Sequence, residues 1–113
     1  MNNNTSSNKH ICNSFSVNMI KSFPVNITIK EININHAKKL MKNGGYFSAV
    51  GHQSTAELLS TILEVPIKTN RITLALDRND EILLAQYYGE RLPEGATILP
   101  EGSTIRWFLV KIL

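Results

Sequence analysis

With 113 residues, 42% of them hydrophobic and 19% charged, the chain has the size and composition of one globular domain, which excludes a fibrous repeat and wholesale disorder. The formal net charge is only +3, and Lys21, Lys30, Lys38, Lys39, Lys42, Lys68, Arg71, Arg78, Arg91 and Arg106 are scattered along the chain. That pattern argues against a stable duplex nucleic-acid partner and suits a compact anionic ligand.

Residues 1–9 are polar, lack the apolar stretch of a signal peptide, and read as a disordered N-terminal tail ahead of a single domain over 10–113. His10 to Phe15 reads as a first strand, with the lone Cys12 as a buried, inert thiol that has no second cysteine for a disulfide or a metal. From Ser16 to Phe23, Val17, Ile20 and Phe23 recur at helical spacing until Pro24 ends the segment. Val25 to Lys30 alternates apolar with polar, as a half-buried strand does. A helix is predicted over 34–43, with Ala37, Leu40 and Met41 inward, Lys38, Lys39 and Lys42 in solvent, and Gly44-Gly45 as the stop.

Tyr46 to Val50 is a short apolar stretch broken by Gly51, a residue free to hold an unusual backbone shape. Ser54-Thr55-Ala56-Glu57 has the spacing of a capping box, and Leu58, Leu59, Ile62 and Leu63 behind it form an apolar face up to Pro66. Arg71 to Leu76 alternates again, a polar turn follows at Asp77 to Glu81, and Ile82 to Tyr88 reads as its hairpin partner. The loop Gly89 to Gly95 leads to a last strand near Thr104 to Ile112. The expected class is α/β (α+β), a mixed sheet of about five strands flanked by helices. No apolar run approaches the roughly 20 residues of a membrane helix, so no membrane contact and a cytoplasmic location are expected.

His52 is the residue of greatest chemical interest. It follows a glycine and precedes a helix start, where unsatisfied N–H groups and the helix dipole attract an anion, so its imidazole would meet a phosphate docked on Gln53 to Ala56. The plainer reading is a surface loop histidine beside an ordinary cap. Arg71 and Arg91 fall near strand ends and suit bidentate phosphate contacts, or are solvated charges. Asn13 and Gln86 place amides in strands, able to read a base edge or to join the backbone network. Glu94, between Pro93 and Gly95, is a base, an orienting carboxylate or a turn residue. No cluster of His, Cys, Asp and Glu suggests a metal, and no cofactor motif occurs, so neither is expected.

Taken in order, Asn13-Ser14-Phe15-Ser16-Val17-Asn18-Met19, Gly51-His52-Gln53-Ser54-Thr55, Asn70-Arg71, Gln86 and Arg91-Leu92-Pro93-Glu94-Gly95 carry a resemblance. Over residues 10–113 the chain resembles the viral type III anti-CRISPR ring nucleases, and within them the bacterial, mobile-element YddF-like branch. The resemblance implies a homodimer whose interface binds cyclic tetraadenylate, the second messenger of type III CRISPR defence, and cleaves it without metal. By this resemblance His52 is the general acid, Arg91 and Glu94 match residues near the scissile phosphate, and Asn13, Ser16, Arg71 and Gln86 match ligand-binding positions; Gly51, Gln53, Ser54 and Thr55 at the helix mouth complete the expected ligand-binding set. The segment between Gln86 and Arg91 is about one residue longer than in viral members. The expected function is therefore a metal-independent phosphodiesterase that yields linear diadenylate and counters type III CRISPR signalling. The alternative is a noncatalytic nucleic-acid-binding or regulatory module, favoured by the basic balance and the lysine-bearing helix.

Overall fold

The computed structural model describes residues 8–90, 95, 96 and 98–113. In chain order, β1 (Lys9–Cys12) leads through a 3-10 turn (Val17–Met19) to β2 (Ile27–Ile32), α1 (Ile34–Asn43), β3 (Tyr46–Ser48), α2 (Gln53–Leu63), β4 (Glu81–Tyr88) and β5 (Thr104–Ile112). The strands form one sheet in the order β2-β5-β4-β1-β3. β1 runs parallel to β3 and β4, and β5 runs antiparallel to both β4 and β2, so β5 alone opposes the common direction. The expected mixed five-stranded α+β architecture is the observed one.

Side-chain alternation divides the core between the two faces of the sheet. On one face Ile11, Leu83, Ala85 and Trp107 pack against Ala37 of α1 and Ala56, Leu59 and Leu63 of α2. On the other, Cys12, Ile82, Leu84, Val110 and Ile112 meet Ile20, Leu74 and Leu76, which come from segments outside the helices and strands. Being covered on both sides, β4 buries Ile82, Leu83, Leu84 and Ala85 in succession, hence its unbroken apolar run. α1 keeps its predicted bounds because Asn33 caps it, its Oδ1 accepting from the His36 N–H at 2.8 Å, and because Gly44 at φ 81° lets the chain turn away.

Several boundaries differ from the sequence reading. Lys9, assigned to the tail, opens β1, and that strand ends at Cys12 instead of Phe15. The helical stretch expected over Ser16 to Phe23 contracts to the three residues of the 3-10 turn, while Ile20 leaves it to bridge Leu76. β2 lies two residues further along than predicted.

The largest correction is the hairpin. Of Arg71 to Leu76 only Leu76 makes a sheet-like bridge, and β4 pairs with β1 and β5 instead. The alternation there is genuine, since Leu74 and Leu76 are 6% and 1% exposed, but it marks a segment lying across the sheet face. Burial of every second residue requires a surface beneath the chain, and it does not require a partner strand beside it. The turn that follows is held by buried Asp80, whose carboxylate accepts from the backbone N–H groups of Asp77 at 2.8 Å and Asn8 at 3.0 Å. Among the described residues no helix is long and apolar enough to cross a membrane.

Candidate functional site

Because β1, β3 and β4 are parallel, their carboxyl ends emerge together at one end of the sheet. β1 delivers Asn13 to Ser16 there, β3 delivers Ala49 to His52 and the start of α2, and β4 delivers Gln86. In open α/β sheets this is the end at which ligands bind, because loops that diverge from adjacent strands leave a crevice.

α2 begins at Gln53 with His52 as its N-cap residue, in extended conformation and without a side-chain cap bond. The first intrahelical bond runs from Ala56 N to His52 O at 3.0 Å, which leaves the N–H groups of Gln53, Ser54 and Thr55 directed out of the helix mouth. The predicted capping box does not form. Ser54 already lies inside the helix, two positions past the N-cap that the motif requires, and Glu57 instead accepts from Gln53 Nε2 at 3.2 Å as an i,i+4 pair. His52 and Gln53 are exposed, while Gly51, Ser54 and Thr55 are half-buried.

Gly51 has a different role from the one its sequence position suggested. It lies outside the left-handed region, but a Cβ there would stand 3.3 Å from Arg71 Cγ. The missing side chain leaves Arg71 room beside the loop before His52. Asn70 fixes this approach, donating from its backbone to Val50 O and from Nδ2 to Ser48 O, both at 2.8 Å. Arg71 is thus held by its backbone beside the mouth of α2 with its side chain exposed.

The other predicted residues are placed less uniformly. Asn13 is half-buried at the exit of β1, and Ser16 caps the 3-10 turn by accepting from Asn18 N at 3.2 Å, which leaves its hydroxyl proton to donate. Gln86 sits on β4 two residues beyond Leu84, the partner of Cys12, on the face opposite the helices. Among the described residues its Nε2 reaches Tyr87 O alone, at 3.4 Å. Arg91 and Glu94 lie outside the described residues. Cys12 is buried as expected; burial pushes its thiol up to about 11, and the thiol donates to Ser14 O at 3.0 Å, so it stays protonated and unreactive at neutral pH.

Sequence reasoning missed a cleft of ≈ 340 Å³ between the exit of β1 and the descending segment after Arg71, lined among others by Ser14, Asn18, Ile72 and Thr73. Assigning Arg71 to Leu76 to a hairpin hid it. The available signal was Ile72, an apolar residue on the outward side of the alternation, 46% exposed.

A family model described as STIV B116-like matches residues 9–102. Uncharacterized protein 26 of Sulfolobus islandicus filamentous virus (isolate Iceland/Hveragerdi) is 44% identical over 72 residues, 64% of this chain and 60% of that protein. Uncharacterized protein ORF117 of Acidianus two-tailed virus is 33% identical over 72 residues, 62% of this chain and 61% of that protein. The aligned part thus spans about three fifths of each of these viral relatives. Among solved structures, B116 of Sulfolobus turreted icosahedral virus shares the fold with a TM-score of 0.79 and 28% identity, over 93% of this chain and 99% of that one.

Proposed function

The chain belongs to the STIV B116-like family, and from that premise we propose that it is a metal-independent ring nuclease that opens cyclic tetraadenylate into linear diadenylate, as a counter to type III CRISPR signalling. The observation that carries the reading is the juxtaposition at the mouth of α2. An uncapped helix start, an exposed histidine at its N-cap and an arginine beside the preceding glycine together suit the binding and cleavage of a phosphodiester. The viral relatives accord with a mobile-element origin, and the resemblance to ring nucleases and their bacterial YddF-like branch is part of the same proposal.

RNA carries its own nucleophile. The 2′-oxygen attacks the adjacent phosphorus, the P–O5′ bond breaks, and the products are a 2′,3′-cyclic phosphate and a 5′-hydroxyl. The 2′-proton passes to solvent. The protein's tasks are to hold the groups in line, to stabilise the added negative charge and to protonate the departing oxygen. In this reading the free N–H groups of Gln53, Ser54 and Thr55 and the guanidinium of Arg71 bind the phosphate, and His52 protonates O5′. Asn13, Ser16 and Gln86 bind the nucleosides, and the resemblance assigns Arg91 and Glu94 to the neighbourhood of the scissile phosphate. A homodimer belongs to the proposal, because a two-fold axis lets each subunit address an equivalent phosphate of a symmetric ring.

Titration with cyclic tetraadenylate tests this assignment. Arg71→Ala should weaken binding roughly 10- to 100-fold, the effect of losing charge-assisted hydrogen bonds. Lys39→Ala, on the exposed side of α1, should change it less than about twofold, since an exposed charge away from the ligand is screened. Equal, small losses from both would favour a diffuse nucleic-acid-binding surface instead.

A further inference from the structure

Beyond the far end of α2 from its mouth, the outer edge of the sheet is open. β3 ends the strand order, and among the described residues no strand pairs with its outer side. Ala49 N donates to Ile11 O at 2.9 Å, so in this parallel ladder Phe47 and Ala49 turn their backbone groups toward β1, while Tyr46 and Ser48 turn theirs outward. The chain itself covers only the upper part of that edge, where Ser48 O accepts from Asn70 Nδ2 at 2.8 Å and Ser48 Oγ donates to Lys68 O at 2.6 Å. The N–H and C=O of Tyr46 and the N–H of Ser48 have no strand beside them. Such a row is a template for one extended guest segment, and a strand of three residues is too short to seed a wider sheet. Along this edge, on the face that carries the helices, runs a groove of ≈ 260 Å³ whose floor is Ile11, Ile67 and Met41. The charge around it is unbalanced. Lys68 lines the groove at the Ser48 end, and Lys9 Nζ lies over the Tyr46 ring, 5.7 Å from its centre. Among the described residues neither lysine is in a salt bridge. The neighbouring carboxylates are engaged: Glu81 accepts from the Tyr46 hydroxyl and lies 3.9 Å from Lys111, and Glu64 pairs with Lys38 at 3.0 Å.

We propose that the β3 edge is a docking site for an acidic peptide segment of another protein, which adds as one further strand beside Tyr46 and Ser48. Because residues i and i±2 of a strand share a face, an aliphatic side chain of the guest enters the groove while carboxylates two residues to either side face Lys9 and Lys68. Backbone pairing supplies affinity, and the acidic-aliphatic-acidic pattern supplies specificity. The surface is separate from the cyclic-ribonucleotide site, since none of the residues assigned to that site lines the groove.

The test uses a dye-labelled, C-amidated peptide, Ser-Glu-Thr-Leu-Thr-Glu-Ser, titrated with the full chain and followed by fluorescence anisotropy. Replacing its leucine by serine should weaken binding at least about tenfold, the effect of losing one buried aliphatic side chain. Lys68→Glu, at an exposed position that the fold tolerates, should weaken the glutamate peptide about tenfold and should reverse the preference in favour of a peptide with lysine in place of both glutamates. With the glutamate peptide bound, hydrogen exchange at the Tyr46 and Ser48 amides should slow at least about tenfold, while the amides of β2 at the other edge of the sheet keep their rates. No binding at about 1 mM peptide, equal binding of the glutamate and lysine peptides by wild type, or binding that leaves Tyr46 and Ser48 unprotected would overturn the docking site.

Discussion

His52→Ala is expected to slow single-turnover cleavage of cyclic tetraadenylate by ~10²–10⁴-fold, the usual contribution of a general acid and equivalent to roughly 3–5 kcal/mol of transition-state stabilisation. The fold should barely respond. His52 is exposed and caps α2 through its backbone carbonyl, with no side-chain cap bond to lose, so the stability change should stay within about 0.5 kcal/mol. Binding of the ring should also change little, because Arg71 and the N–H groups of Gln53 to Thr55 remain in place. Measuring decay of the labelled ring alongside a binding titration separates the outcomes. Unchanged cleavage by the folded variant would remove His52 from the acid role, and equal loss of binding and cleavage would make it a recognition residue.

The largest expected effect on stability lies at the centre of the sheet. Leu83 is fully buried on β4, beside Ile11 of β1 and Leu109 of β5, on the face that receives both helices. Truncation to alanine removes the transfer free energy of the lost carbons and leaves a space that four packed elements cannot readily close. Leu83→Ala should therefore cost about 3–5 kcal/mol, read as a fall in the midpoint of urea denaturation with an unchanged slope. A loss below about 1 kcal/mol would mean that this part of the core collapses around the change.

The two halves of the molecule were not equally legible in the sequence. α1 was readable because its signals are local: Ala37, Leu40 and Met41 on the inward face and Gly44-Gly45 behind, to which the structure adds the Asn33 cap. β5 was readable from its length and its β-branched and aromatic content. The Arg71 to Leu76 segment was not, because a chain lying across a sheet and a chain within one share the same alternation, and only long-range pairing tells them apart. The start of α2 misled in a related way. Ser54 and Glu57 have capping-box spacing, but the cap position falls on His52, where the contact of Gly51 with Arg71 and the bond from Asn70 to Val50 fix the path of the incoming chain.

The site followed the same division. His52 stood out in the sequence because a helix mouth is a local feature, and the structure brings Gly51, Gln53, Ser54, Thr55 and Arg71 to it. Asn13, Ser16 and Gln86 were assigned through resemblance, and the parallel pairing of β1 with β4 is what carries them to the same end of the sheet. The cleft after β1 was invisible, since its lining comes from three segments distant in sequence: Cys12 to Met19, Ala49, and Ile72 to Leu74.

The central claim is that the residues around His52 open the cyclic ribonucleotide with no help from a metal ion. Its most direct test is incubation of the protein with cyclic tetraadenylate in excess EDTA, with the products identified by chromatography and mass spectrometry. The expected result is linear diadenylate ending in a 2′,3′-cyclic phosphate, formed as fast with the chelator as without it. A ring that stays intact throughout, or one opened only when a divalent ion is restored, would contradict it.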